Sequence, residues 1–176
     1  GVAAYGTLMY VNFIFVAIFL GYSIGSAPIV SYHYGARNSD ELKNLLTKSL
    51  KMIGVWGIGL FALAQLIASP LARIFVGYDP DLFALTKHGF RIFCLAFLVN
   101  GFNIYGSSFF TALNNGLLSA LISFLRTLVF QIAAVLLMPM FLGIDGIWGA
   151  VFVAEIFTLC VTVICLVRKR KQYHYF

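Results

Sequence analysis

The stretch IFCLAFLVNGFNIYGSSFFTALNNGLLSALISFL, residues 92–125, contains no Asp, Glu, Lys or Arg. It runs unbroken from Arg91 to Arg126 except for the turn-forming Asn114-Asn115-Gly116. A helix needs about 20 mainly apolar residues to cross the hydrocarbon core of a bilayer. The residues before that turn supply one crossing, and those after it, continuing to Phe141, supply a second. A soluble amphipathic helix would carry charges on the face turned from its core; here there are none to place. The same pattern extends outward, with no such charge before Arg37 or between Lys51 and Arg73. Across 176 residues the chain is 61% hydrophobic and 10% charged, with a mean hydropathy of +0.95. This excludes an ordinary soluble domain. The expected fold is all-α, a polytopic transmembrane helical bundle.

Five spans are expected, at about residues 4–30, 52–76, 88–113, 117–141 and 147–167, with a tail over 168–176. The breaks between them are rich in Gly, Pro, Asn and Asp, the residues that turns require. One break continues as a charged amphipathic stretch to Lys51, opened by Asn38 and Glu41 in capping-box order. Gly1 is not a Met and already lies in an apolar run, which reads as part of a longer chain with at least one earlier span.

Basic residues give the bundle a direction. Arg37, Lys43, Lys48 and Lys51 lie between the first two spans, and Arg168, Lys169, Arg170 and Lys171 follow the fifth. Both clusters fall on one side, which the positive-inside rule makes cytoplasmic. This accounts for the net charge of +6 without nucleic acid. Membrane lipids are the expected surroundings, with the tail residues Tyr173, Tyr175 and Phe176 at the headgroups.

Polar groups are costly inside a membrane, so their positions are informative. Asn100, Asn103, Ser107, Thr111 and Asn114 fall within an arc of about 80° on the third span. Asn12 belongs to a thinner polar face of the first, with Tyr5, Ser23 and Ser26. These faces either line a hydrated cavity or bind helices to one another. Arg126 in span four and Glu155 in span five lie at similar depth on antiparallel neighbours, so the two are expected to meet. The pair is either structural or places a proton- or cation-carrying carboxylate at Glu155.

No enzyme signature is present. His33, His88 and His174 stand apart, no Ser-His-Asp order or phosphate-binding loop occurs, and Cys94, Cys160 and Cys165 lack metal-ligand spacing and read as small buried hydrophobes. No cofactor or metal is expected.

Pro28, Tyr32, Tyr34, Gly35, Ala36 and Arg37 lie in the segment Ala27-Pro28-Ile29-Val30-Ser31-Tyr32-His33-Tyr34-Gly35-Ala36-Arg37. This segment resembles a signature of the multidrug and toxic compound extrusion (MATE) family. Ser108 to Leu113, Ser123 to Arg126, and Gly143 to Trp148 resemble later stretches of that family in order, although Asn114 stands where a Gly is usual. The resemblance implies twelve helices in two lobes, of which this chain is roughly helices eight to twelve, with the N-terminal lobe missing. It implies a cell-membrane antiporter exporting drugs or other organic cations in exchange for Na⁺ or H⁺. Some members carry a coupling acid in the tenth helix, where this chain has Asn100 and Asn103 instead. A lipid-linked oligosaccharide or polysaccharide flippase of the same superfamily is the alternative, and a non-transporting scaffold subunit a second.

Overall fold

A computed structural model of the chain describes residues 2–175, apart from the side chain of Ala3; Phe176, expected at the headgroups, lies outside them. The fold is all-helical, as expected. Five helical spans among the described residues are long and apolar enough to cross a membrane. The first is α1 (Val2–Gly35) and the second α2 (Ser39–Val76). The third consists of α3 (Pro80–Phe93), a 3₁₀ turn (Cys94–Ala96) and α4 (Phe97–Ala112). The fourth joins α5 (Gly116–Phe124), a π-helical segment (Leu125–Phe130) and α6 (Gln131–Leu142); α7 (Ile144–Tyr173) is the fifth.

Helix α2 differs from the reading of its sequence. No break separates the charged stretch from the apolar one, and both form a single helix of 38 residues. The physical reason is local. Nothing between Ser39 and Met52 disfavours a helix, and Asn38 caps the start by accepting from the Glu41 backbone N–H at 3.2 Å. Asp40 and Glu41 occupy the first turn, where they complement the helix dipole. At 1.5 Å per residue the helix is about 57 Å long, well beyond the hydrocarbon thickness. Its charged first turns therefore extend past the apolar layer, with Lys43, Lys48 and Lys51 exposed.

The third span occupies the centre of the bundle, with α4 packed against α1, α2, α5 and α7. Close approach there depends on missing side chains. A Cβ on Gly101 would run into Phe19 and Ile53, and one on Gly106 into the Thr162 methyl. Small residues at helix contacts are how membrane bundles gain packing without a hydrophobic drive. The 3₁₀ turn frees carbonyl groups from the α-helical ladder. The Arg91 carbonyl is met by Gln65 Nε2 at 3.2 Å and by the Cys94 thiol at 3.2 Å. Cys94 is thus buried as expected, but Cys165 is half-buried and Cys160 exposed, since α7 turns only part of its circumference to the other helices.

Helix ends fix the two poles of the bundle. Arg37 and Asn114 adopt left-handed backbone (φ 53° and 59°) just past α1 and α4. There the Asn38 and Asn115 N–H groups reach back to His33 and Phe110 carbonyls at 3.0 and 2.9 Å. The rings of Tyr34 and Tyr173 are 5.7 Å apart, so the end of α1 and the end of α7 share one pole, with both basic clusters. At the other pole His88 Nε2 and Asp145 Oδ1 meet at 2.9 Å, tying α3 to the start of α7.

Candidate functional site: a buried ion pair between two clefts

Arg126 and Glu155 meet at the centre of the fold. Arg126 Nε donates to Glu155 Oε1 at 2.8 Å, and Nη2 lies 2.7 Å from the same oxygen. Nη2 also donates to Asn100 Oδ1 at 2.5 Å. The other carboxylate oxygen, Oε2, accepts from Asn103 Nδ2 at 2.6 Å. Asn103 Nδ2 also reaches the Glu155 backbone carbonyl at 2.9 Å, and its Oδ1 accepts from Thr162 at 3.1 Å. Three spans thus supply one network: α4 the two amides, the π segment the guanidinium, and α7 the carboxylate and Thr162.

The two charges are unequally covered. The Arg126 side chain is 25% exposed and that of Glu155 5%. Arg126 borders two clefts. One, of about 380 Å³, is lined by Tyr5, Asn12, Phe13, Asn100, Gln131 and Glu155 among others. The second, of about 360 Å³, is lined by Leu20, Ile104, Ser107, Ser108, Thr111 and Ser123 among others. Arg126 sits on a π-helical segment in which no residue is buried. Such segments interrupt α-helices frequently at functional positions.

The sequence-derived candidates divide accordingly. Asn12 and Asn100 line the first cleft, and Ser107 and Thr111 the second. The Asn12 side-chain oxygen is buried with no hydrogen-bond partner. Asn103 lines neither cleft; it is fully buried between α4 and α7. Its place on the polar arc of α4 is real, but the central helix is covered on several sides and Asn103 faces α7. The motif residues are not part of this site. Pro28 lies inside α1, Tyr32 is exposed, and Tyr34, Gly35 and Arg37 border a separate cleft of about 510 Å³ with Gln172, Tyr173 and His174. Ala36 closes the turn, its N–H reaching the Tyr32 carbonyl at 2.9 Å.

Several members were not anticipated. Ser107 Oγ contacts Ser119 Oγ at 2.8 Å and Ser123 Oγ at 3.0 Å, and Thr111 donates to Ser119 Oγ at 2.7 Å. Ser119, Ser123 and Arg126 are spaced by four and three residues, which places them on one helix face. That spacing is the signal that would have found them. No group of three or more His, Cys, Asp or Glu able to hold a metal is gathered among the described residues.

A family model described as MatE matches residues 1–137. The chain belongs to the MatE family. A search of curated protein sequences finds no match. Among solved structures, the fold is similar to the Vibrio cholerae MATE transporter VcmN in the bent form, with a TM-score of 0.90 and 18% identity over 99% of this chain and 40% of that one. It is also similar to the outward-facing conformation of a multidrug resistance MATE family transporter of the MOP superfamily, with a TM-score of 0.86 and 18% identity over 98% and 38% of the two chains. The inward-facing conformation of such a transporter matches with a TM-score of 0.85 and 17% identity over 97% and 39%. The chain therefore has a MATE transporter fold and spans about two fifths of the length of the structures it matches.

Proposed function

We propose that this chain supplies helices eight to twelve, in the second lobe of a secondary antiporter in the cell membrane. In this reading it exports drugs or other organic cations in exchange for Na⁺ or H⁺. Transport proceeds by alternating access, the two lobes rocking about a cavity between them. Its C-terminus and both basic clusters face the cytoplasm, in keeping with the positive-inside rule.

The observation that carries the reading is the cleft beside Glu155. Its walls combine aromatic and aliphatic side chains, from Tyr5, Met9, Phe13, Val16 and Val151, with polar groups from Asn12, Asn100, Thr127 and Gln131 and the Arg126–Glu155 pair. Small-molecule sites have this composition and a volume of about 300–1,000 Å³. An amphipathic cation gains from burying apolar surface against such walls and from a carboxylate nearby. The cleft also carries the Arg126 guanidinium, which is paired with that carboxylate; the family motif residues lie elsewhere.

A second reading follows from Arg126. It is the more exposed partner of the pair and borders both clefts, which suits an anionic group such as the phosphate of a lipid-linked sugar. One experiment separates the readings. Single cysteines replace Asn12 and Thr111 in the full-length protein, and their labelling by a charged thiol reagent is followed with added ligand. Cation antiport predicts that labelling occurs and that tetraphenylphosphonium slows it. Protection by a lipid pyrophosphate alone supports the flippase. Absence of labelling at both positions leaves neither cleft on a substrate path and favours a scaffold.

A further inference from the structure

The segment from Pro28 to Arg37 takes no part in the site around Glu155, yet its end builds a cleft of its own. That cleft, of about 510 Å³, lies at the pole with both basic clusters, where the end of α1 meets the end of α7. Its polar lining includes His33, Arg37, Ser39, Gln172, Tyr173 and His174, and no carboxylate among the described residues. Asp40 and Glu41 follow Ser39 but stand outside the lining, both exposed, with Glu41 3.5 Å from the Asn44 amide.

The groups around this cleft have donors to spare. Arg37 takes part in neither of the two ion pairs formed among the described residues. Gln172 accepts from Lys169 through Oε1 at 2.8 Å, which leaves its amide N–H groups. The Tyr173 hydroxyl accepts from Asn115 at 2.6 Å, so its own proton remains to be donated. His33 is half-buried, and its Nδ1 is shielded from water without a hydrogen-bond partner. Polar groups left unmet where water is scarce are costly, and a ligand seated among them removes that cost.

The backbone bears on the same point. Arg37 and His174 are two of the three non-glycine residues with positive φ among the described residues, at 53° and 54°. Each lies just past a helix, in the left-handed place where Gly is the least strained residue. Basic side chains take both places, and both line this cleft.

We propose that the cleft binds the phosphate of an anionic lipid headgroup, with Arg37 as its main partner. A guanidinium meets phosphate oxygens with paired N–H groups, and basic pockets between helix ends hold such headgroups. Lipid is the source because the apolar layer ends at this pole: α2 begins there with a charged stretch and turns apolar after Lys51. A headgroup held in the cleft ties the end of α1 to the end of α7. The inference is independent of what the two inner clefts carry.

The test is native mass spectrometry of the full-length protein, titrated in detergent with dioleoyl phosphatidylglycerol, dioleoyl phosphatidylcholine or inorganic phosphate. Phosphatidylglycerol should bind wild type at least about tenfold more tightly than phosphatidylcholine, the effect of one charge-assisted hydrogen bond. Arg37→Gly should lose about that factor. It also relieves a left-handed backbone, so weaker binding is not a sign of misfolding. Lys43→Gln removes an exposed charge of the same cluster outside the cleft and should change the affinity by less than about twofold. Equal affinity of wild type for the two lipids overturns the proposal. So do equal losses in Arg37→Gly and Lys43→Gln, which would mean diffuse charge alone. Inorganic phosphate that displaces phosphatidylglycerol at equal concentration overturns the lipid assignment and makes the cleft a site for free phosphate.

Discussion

Removing Arg126 should destabilise the fold more than neutralising Glu155, although the two form one pair. A guanidinium and a carboxylate centred about 4 Å apart attract by about 4 kcal/mol at an effective dielectric constant of about 20. Breaking a buried pair by deleting one partner costs about 3–5 kcal/mol, because a charge remains without its counter-charge. Arg126→Ala leaves Glu155, 4% exposed, with Asn103 as its remaining side-chain donor. The expected loss is about 3–4 kcal/mol. Glu155→Gln strands Arg126 instead, but that side chain is 25% exposed toward the clefts and keeps Asn100. Water and Asn100 then take up part of the lost interaction, and the expected loss is about 1–2 kcal/mol. The double variant Arg126→Gln/Glu155→Gln should lose at least about 2 kcal/mol less than the sum of Arg126→Gln and Glu155→Gln, since neighbours in one network are not additive. Reversible unfolding of the full-length protein in mixed micelles, titrated with dodecyl sulfate and followed by tryptophan fluorescence, measures all of these. An Arg126→Ala loss below about 1 kcal/mol, the value of an exposed pair, or one smaller than that of Glu155→Gln, would refute the reasoning.

Gly106→Val should separate α4 from α7, because its side chain would occupy the space of the Thr162 methyl; the expected cost is about 1–3 kcal/mol, read from the same unfolding titration. Asn38→Ala removes the side-chain acceptor for the Glu41 N–H and should cost about 1 kcal/mol, with faster amide exchange confined to the first turn of α2. Asn114→Gly relieves a left-handed backbone at φ 59° and should change the unfolding midpoint by no more than about 1 kcal/mol in equivalent stability, without altering ligand affinity.

Much of the architecture is written in composition. An uncharged run between Arg91 and Arg126 admits few states other than helices in lipid, and the Asn38 cap stands in the sequence in capping order. Arg126 is about nine residues into span four and Glu155 about eight into span five, both near mid-depth on adjoining antiparallel spans, so their meeting is a matter of counting residues. What periodicity does not carry is which neighbour a polar side chain faces. Asn100 and Asn103 lie on one arc of α4, yet the first borders a cleft and the second is sealed against α7. A central helix with partners on several sides leaves that choice to packing, here to the absent side chain of Gly106 and the position of Thr162. The 3₁₀ turn at Cys94–Ala96 and the π segment at Leu125–Phe130 carry no Pro or Gly to announce them, because tertiary contacts such as that of Gln65 with the Arg91 carbonyl support them. The continuous α2 teaches the opposite lesson, since a change from charged to apolar composition marks where a helix enters lipid, not where it ends.

The central proposal is that this MATE-type fold exports an organic cation in exchange for Na⁺ or H⁺, with the cleft beside Arg126 and Glu155 on its path. Full-length protein reconstituted into proteoliposomes with an imposed ion gradient tests it most directly. With a proton gradient and a Na⁺ gradient imposed in separate preparations, the account predicts that tetraphenylphosphonium accelerates the collapse of one of them while moving in the direction opposite to that ion. Gradients of both ions that decay at the same rate with and without the cation would contradict it.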